Sequence, residues 1–301
     1  MSLPEGADEI GLAGAIQGSP LEIVKAKTVD AYALAQSEFV VEGYLDTSER
    51  VWETRQSEEE QRQGVYPFHP EWAGYMGKAY RTYLFKVTGV TCREDRPIYY
   101  GPIVHGYDDH NINSKVREAS FIDLADRICP GLVIDAHIPL GMTDWGGVIY
   151  QVRKRSRFDE GYQKNILTAA IAFSQGMRLA IAVDEDIDLY SPEDILWALT
   201  TRVEVDKDIH AVAPGGGGQT FQPAERAAAA PGSEWVSHET RYGGGIAIDA
   251  TVPFQFKDVF ERPAYPVDVV GDLGKWFSEE DLAWARSQQN EYARSLAKSG
   301  I

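Results

Sequence analysis

The sequence predicts an α/β (α+β) protein built in two parts: a β-rich front, then an α/β domain with a largely parallel or mixed sheet. Three observations predict it. Short β-branched and aromatic runs crowd the first part of the chain, and one of them alternates apolar and polar residues. Further on, helical apolar spacing and compact apolar strands take turns. The length of 301 residues, 44% of them hydrophobic, suffices to bury a substantial core in one large domain or two modest ones.

In order, residues 21–27 and 39–45 read as strands, and residues 83–90 carry the period-2 signature of a half-buried strand. Residues 48–63, crowded with Glu, Gln and Arg, read as a solvated loop or short helix between strands. Helical spacing runs over 116–128, strands follow at 132–136 and 147–152, then a helix over 161–173 and a strand over 178–183. Ser191-Pro192-Glu193-Asp194 starts another helix: an N-cap serine, proline at the first helical position, acids in the first turn. That helix carries Ile195, Leu196, Leu199 and Val203 on one face. Residues 214–218 and 227–232 flank a low-complexity loop, and Ile246 to Thr251 follow a triple glycine as a strand. Ser278-Glu279-Glu280-Asp281 opens a terminal helix that runs to about Lys298 with a capping box.

The formal charge of −17 argues against nucleic acid as a partner, because phosphate binding needs a cationic surface. An acidic surface also keeps cytosolic proteins soluble. Two cysteines, Cys92 and Cys129, are too few for a disulfide framework and lack metal-ligand spacing. No basic stretch leads into an apolar run at the front, and no run approaches the roughly 18 apolar residues of a membrane span. These features predict a soluble, cytoplasmic protein.

Several residues are candidates for chemistry. Asp184-Glu185-Asp186-Ile187-Asp188 follows an apolar strand, where open α/β sheets place functional carboxylates. Such acids suit a divalent cation, and equally suit helix capping and loop amides. His105-Gly106-Tyr107-Asp108-Asp109-His110 holds donors in a turn-rich loop, but their spacing fits no standard ligand pattern. A metal-dependent hydrolase built on these histidines and the Asp184 block therefore lacks a motif. Gly243-Gly244-Gly245 before a strand can let a phosphate approach the backbone. There is no P-loop, Gly-x-Gly-x-x-Gly or nucleophile elbow.

Four ordered blocks resemble the UbiD family of decarboxylases. Glu9-Ile10-Gly11-Leu12-Ala13-Gly14, running on to Glu22-Ile23-Val24-Lys25, is similar to the family segment in which an acid precedes Ala-Gly and a Val-Lys strand. Phe39-Val40-Val41-Glu42-Gly43 resembles the strand that follows it. Asp184 to Asp188, with Ile195-Leu196-Trp197-Ala198-Leu199-Thr200-Thr201-Arg202, resembles the family's aspartate block and its Trp-Ala-Leu helix. Asp249-Ala250-Thr251 matches the Asp-Ala-Thr turn. The resemblance implies the second half of a split β-barrel flavin-binding domain in residues 1–112 and a connecting helix in 113–130. Residues 131–301 become a C-terminal α/β oligomerisation domain with a mixed sheet and a terminal helix.

Residue roles follow from the same resemblance. Glu9 stands where the family's acid joins a divalent metal, Mn2+ or Mg2+ with K+ nearby, beside the phosphate of prenylated FMN. Gly244 and Gly245 fall near that phosphate, and Gly245 stands where many relatives carry a lysine. Residues 66–75 correspond to the family's catalytic carboxylate stretch: Glu71 takes the position that delivers the proton, and Tyr66 replaces the first carboxylate. His69, or a residue of another chain, then compensates; His105 and Tyr107 line the substrate pocket. The family's catalytic arginine, and an asparagine and histidine of its metal and cofactor site, belong to an N-terminal half without a counterpart here. The implied protein is one subunit of a hetero-oligomeric decarboxylase, or reversible carboxylase, of an aromatic, heteroaromatic or α,β-unsaturated carboxylic acid. Its second subunit resembles the N-terminal half, and dimer contacts run through the C-terminal domain. The alternative is a non-catalytic structural or regulatory subunit on the same scaffold.

Overall fold

The computed structural model describes residues 8–70, 74–99, 109–143, 146–173, 176–212, 244–263 and 275–287. The chain divides after Gln255 into two units. At the front of the first unit, helix α1 (Glu9–Gln17) is capped by Asp8, whose carboxylate accepts from the Ile10 and Gly11 amides, and ends on Gly18 at φ 78°. Strands β1 (Ile23–Lys25) and β2 (Tyr32–Leu34) pair antiparallel, and β3 (Phe39–Trp52) pairs antiparallel with β6 (Arg81–Cys92). Between them lie α2 (Arg55–Glu59) and the hairpin of β4 (Pro67–Pro70) and β5 (Met76–Lys78). Among the described residues the β3–β6 ribbon is two-stranded and no barrel closes. β3 carries on past the predicted strand end to Trp52 through an irregularity between Asp46 and Arg50. Gly43 is a steric requirement of the ribbon: a Cβ there would lie 2.2 Å from the Lys86 carbonyl oxygen.

The ribbon departs from the predicted half-buried strand. Phe85, Val87 and Val90, the apolar members of the alternation, are exposed. The opposite face is the one the chain covers at the Glu42 end. There the turn after β1 brings Thr28 onto the ribbon; its amide and hydroxyl each donate to Glu42 at 2.6 Å, and its hydroxyl lies 2.7 Å from that of Thr88.

Helix α3 (Asp109–Ile128) leads into a five-stranded sheet ordered β10-β11-β9-β8-β7. Its strands are β7 (Val133–His137), β8 (Gly147–Val152), β9 (Leu179–Asp184), β10 (Ile209–Val212) and β11 (Gly245–Ala250). β8, β9 and β11 are parallel, and the two edges, β7 and β10, are antiparallel to their neighbours. Helix α4 (Tyr162–Phe173) connects β8 to β9, and α5 (Pro192–Arg202) follows β9 before the short α6 (Val205–Asp208). The inner strands read as continuous apolar runs because both of their faces are buried. Val148, Tyr150, Val152, Ala180 and Ala182 meet Phe121 of α3 and Ile166 and Leu167 of α4 on one side. Ile149, Ile181 and Val183 meet Ile195 and Ala198 of α5 on the other. In the second unit the described helix is Glu279–Ser287, its Ser278 and Asp281 exchanging the two bonds of the predicted capping box.

Candidate functional site

Glu9 opens α1, in the first turn where the helix dipole favours a negative charge, and its side chain is exposed. Both oxygens of neighbouring Asp8 are committed to amides of the same turn. Among the described residues no three His, Cys, Asp or Glu side chains group into a metal set. Glu9 thus offers one carboxylate, and a hard cation of six to eight oxygen ligands needs further donors there.

Tyr66 stands just before β4 and His69 lies within it. The Tyr66 hydroxyl donates to the Glu60 carboxylate, and that bond holds the phenol above its usual pKa. Tyr66 is therefore a neutral hydrogen-bonding group. His69 Nδ1 lies 2.8 Å from the Pro70 carbonyl oxygen. A carbonyl only accepts, so Nδ1 is the donor in this contact. Phe68 meets the imidazole edge-on at 4.9 Å between centroids. Among the described residues, no hydrogen bond or ion pair joins Glu9, Tyr66 and His69 to one another. Glu71, which follows β4, and His105 and Tyr107 lie outside the described residues.

Gly244 has φ 74°, and its carbonyl accepts from Arg178 Nη1 at 3.1 Å. A Cβ on Gly245 would come within 3.0 Å of Ile171 and 3.1 Å of the Met177 carbonyl oxygen. A side chain at the start of β11 would thus press on these neighbours. The Asp249-Ala250-Thr251 turn that follows closes on itself: the Thr251 amide and hydroxyl both donate to Asp249, which also accepts from Gln163 of α4.

The acidic block after β9 is held by side chain and backbone donors. Asp184 Oδ2 accepts from Arg202 Nη1 at 3.0 Å and from the Val252 amide at 2.6 Å; Asp186 receives both Arg202 Nη1 and Nη2. Asp188 accepts from the Tyr190 amide. These acids thus tie α5 and the segment after β11 to the end of β9. Two further polar clusters carry no motif in the sequence. The side chain of Lys154, 0% exposed, donates to Glu160 and to the Val252 carbonyl. Glu118 of α3 accepts from His137, the Ile138 amide and Lys115. Burial alone would raise the Glu118 pKa, but these three donors together hold it below the usual carboxylate value.

Comparison with known proteins places this architecture. Residues 1–107 match the 3-octaprenyl-4-hydroxybenzoate carboxy-lyase Rift-related domain of UbiD, and residues 110–250 match the carboxy-lyase C-terminal domain. The chain is 32% identical over 267 residues to a gallate decarboxylase of Lactiplantibacillus plantarum, covering 87% of this chain and 51% of that protein. It superposes with a TM-score of 0.71 on the UbiD-class enzyme HmfF from Pelotomaculum thermopropionicum in complex with FMN, at 27% identity over 92% of this chain and 55% of that one. The apo 3,4-dihydroxybenzoic acid decarboxylase of Enterobacter cloacae gives a TM-score of 0.71 at 28% identity, over 94% of this chain and 54% of that one. The chain spans about half the length of the relatives it matches. With both UbiD domain matches in family order and the fold shared throughout, the chain belongs to the UbiD family.

Proposed function

We propose that this chain is one part of a prenylated-FMN-dependent carboxy-lyase that decarboxylates, or reversibly carboxylates, an aromatic acid together with a second polypeptide. The observation that carries the reading is the match to both UbiD domains combined with coverage of about half of gallate decarboxylase. Bound, the flavin supplies the electron sink for loss of CO2. The residues of this chain bind, orient and move a proton. Glu71 delivers that proton to the carbon that loses the carboxylate. Tyr66 and His69 hold the substrate, the first as a neutral acceptor whose own proton is donated to Glu60 and the second through its imidazole; His105 and Tyr107 complete the pocket. Glu9 gives one oxygen to Mn2+ or Mg2+, with K+ nearby. Gly244 and Gly245 present backbone to the cofactor phosphate. The second polypeptide contributes the arginine and the remaining metal and flavin ligands. We place the assembly in the cytoplasm, with dimer contacts through the C-terminal domain.

The test is purification through a tag on the chain in its source cells, followed by visible absorbance and CO2 release from gallate and 3,4-dihydroxybenzoate. A coloured complex with a stoichiometric second polypeptide is the expected result. Within it, Glu71→Gln should lower turnover by about 10²–10⁴-fold with flavin content unchanged. A colourless protein without a partner overturns the reading. Full activity of Glu71→Gln in an active complex would instead make the chain a non-catalytic subunit.

A further inference from the structure

The β3–β6 ribbon wears its binary pattern inside out. Facing residues in the register are Val41 with Val90, Gly43 with Val87, and Leu45 with Phe85. Directly opposed residues share a face, and the alternation along β3 adds Phe39 to the same side. Phe39, Val41, Leu45, Phe85, Val87 and Val90 thus form one apolar stretch of this face, which ends at Tyr83 and Arg50, and all six are exposed, between 39% and 61%. The other face carries Glu42, exposed Tyr44, the Lys86–Asp46 ion pair and Thr88, and Thr28 covers its Glu42 end. A half-buried ribbon ordinarily buries the reverse. A two-stranded ribbon is also marginal by itself and needs more strands or a packed layer on its apolar face. An apolar patch of this kind marks a contact surface.

We infer that this face is the docking surface for the second polypeptide, which covers it with an apolar sheet face of its own. The inference rests on the split-enzyme reading. The choice of occupant comes from the relatives. HmfF superposes on 92% of this chain yet has only 55% of its own length matched, so in that protein nearly as much polypeptide again accompanies the part this chain shares. The match to the Rift-related domain spans residues 1–107, which places the ribbon inside it. The six side chains are aliphatic or phenyl, so the complementary surface is apolar β-structure in the half of the UbiD fold that this chain lacks.

The experiment replaces Val41 or Val87 with the photo-reactive amino acid p-benzoylphenylalanine in the chain expressed in its source cells, with exposed Leu196 of α5 as the reference position. After irradiation the adducts are identified by mass spectrometry. Adducts from positions 41 and 87 should contain a polypeptide that aligns with the part of gallate decarboxylase outside this chain's match. In parallel, Val41→Glu with Val87→Glu should lower the amount of that polypeptide purified with the chain by at least about tenfold, because two carboxylates would be buried without partners. Adducts with a second copy of this chain, or within one longer polypeptide, overturn the inference. Undiminished co-purification of the double variant, with no adduct from 41 or 87, removes this face while the split-enzyme reading stands. Absence of any UbiD-like polypeptide from wild-type preparations removes that reading as well.

Discussion

Arg202 decides what the acidic block of this chain does. Its guanidinium, 1% exposed, meets Asp184 at 3.0 Å and Asp186 at 2.6 Å, and the Asp184 side chain is itself only 5% exposed. Removing the cation would strand a buried carboxylate. Arg202→Met should therefore destabilise the protein by about 3–5 kcal/mol in urea unfolding, and adding Asp184→Asn should recover part of the loss. The run of acids after an apolar strand was legible in the sequence, as was helix capping as one of its possible roles. The partner was not, because it stands eighteen residues on, at the last turn of α5, and only the folding of that helix back over β9 brings it there. Gly245 adds a packing role that no local pattern displays: a Cβ there would press on Ile171 and the Met177 carbonyl.

At the scale of elements, boundaries with local chemistry were the readable ones. Ser191 accepts from the Asp194 amide as the predicted N-cap, and Ser278 with Asp281 forms the predicted box. Helix α1 had no such legibility: Gly11 and Gly14 lower its intrinsic helicity, and its cap Asp8 is followed by no strong apolar period. The junction of α3 with β7 is likewise tertiary, made by Glu118 with His137, the Ile138 amide and Lys115. Because these donors hold the folded pKa of Glu118 below its ordinary 4.5, the carboxylate stabilises the fold above that pH. Its contribution disappears as the pH falls through the folded value. Glu118→Gln should thus lower stability at about pH 7 and flatten the loss of stability between about pH 5 and pH 3, as read from urea midpoints across that range. Equal pH slopes for variant and wild type would show that the cluster contributes nothing in acid.

Over the whole molecule, burial is uneven. Leu167 of α4 is 0% exposed within the core between α3, α4 and the sheet, whereas Leu45 on the ribbon is 58% exposed. Leu167→Ala should cost about 2–5 kcal/mol in the isolated chain, and Leu45→Ala no more than about 0.5 kcal/mol, both measured by urea unfolding. A large effect at Leu45 in the absence of any partner would mean that the chain covers this face itself. Local patterns in the sequence were enough to determine the α/β class, the alternation of helices and strands from α3 to α5, the capped helix starts and, through four ordered blocks, the UbiD family. Each depends on side-chain periodicity or on contacts a few residues apart, which the order of residues displays directly. Only the tertiary structure decided the sheet order β10-β11-β9-β8-β7, the use of Arg202 by two aspartates and the exposure of the apolar side of the ribbon. Those depend on distant segments meeting, and a period-2 pattern specifies two faces without specifying which one the chain itself will cover.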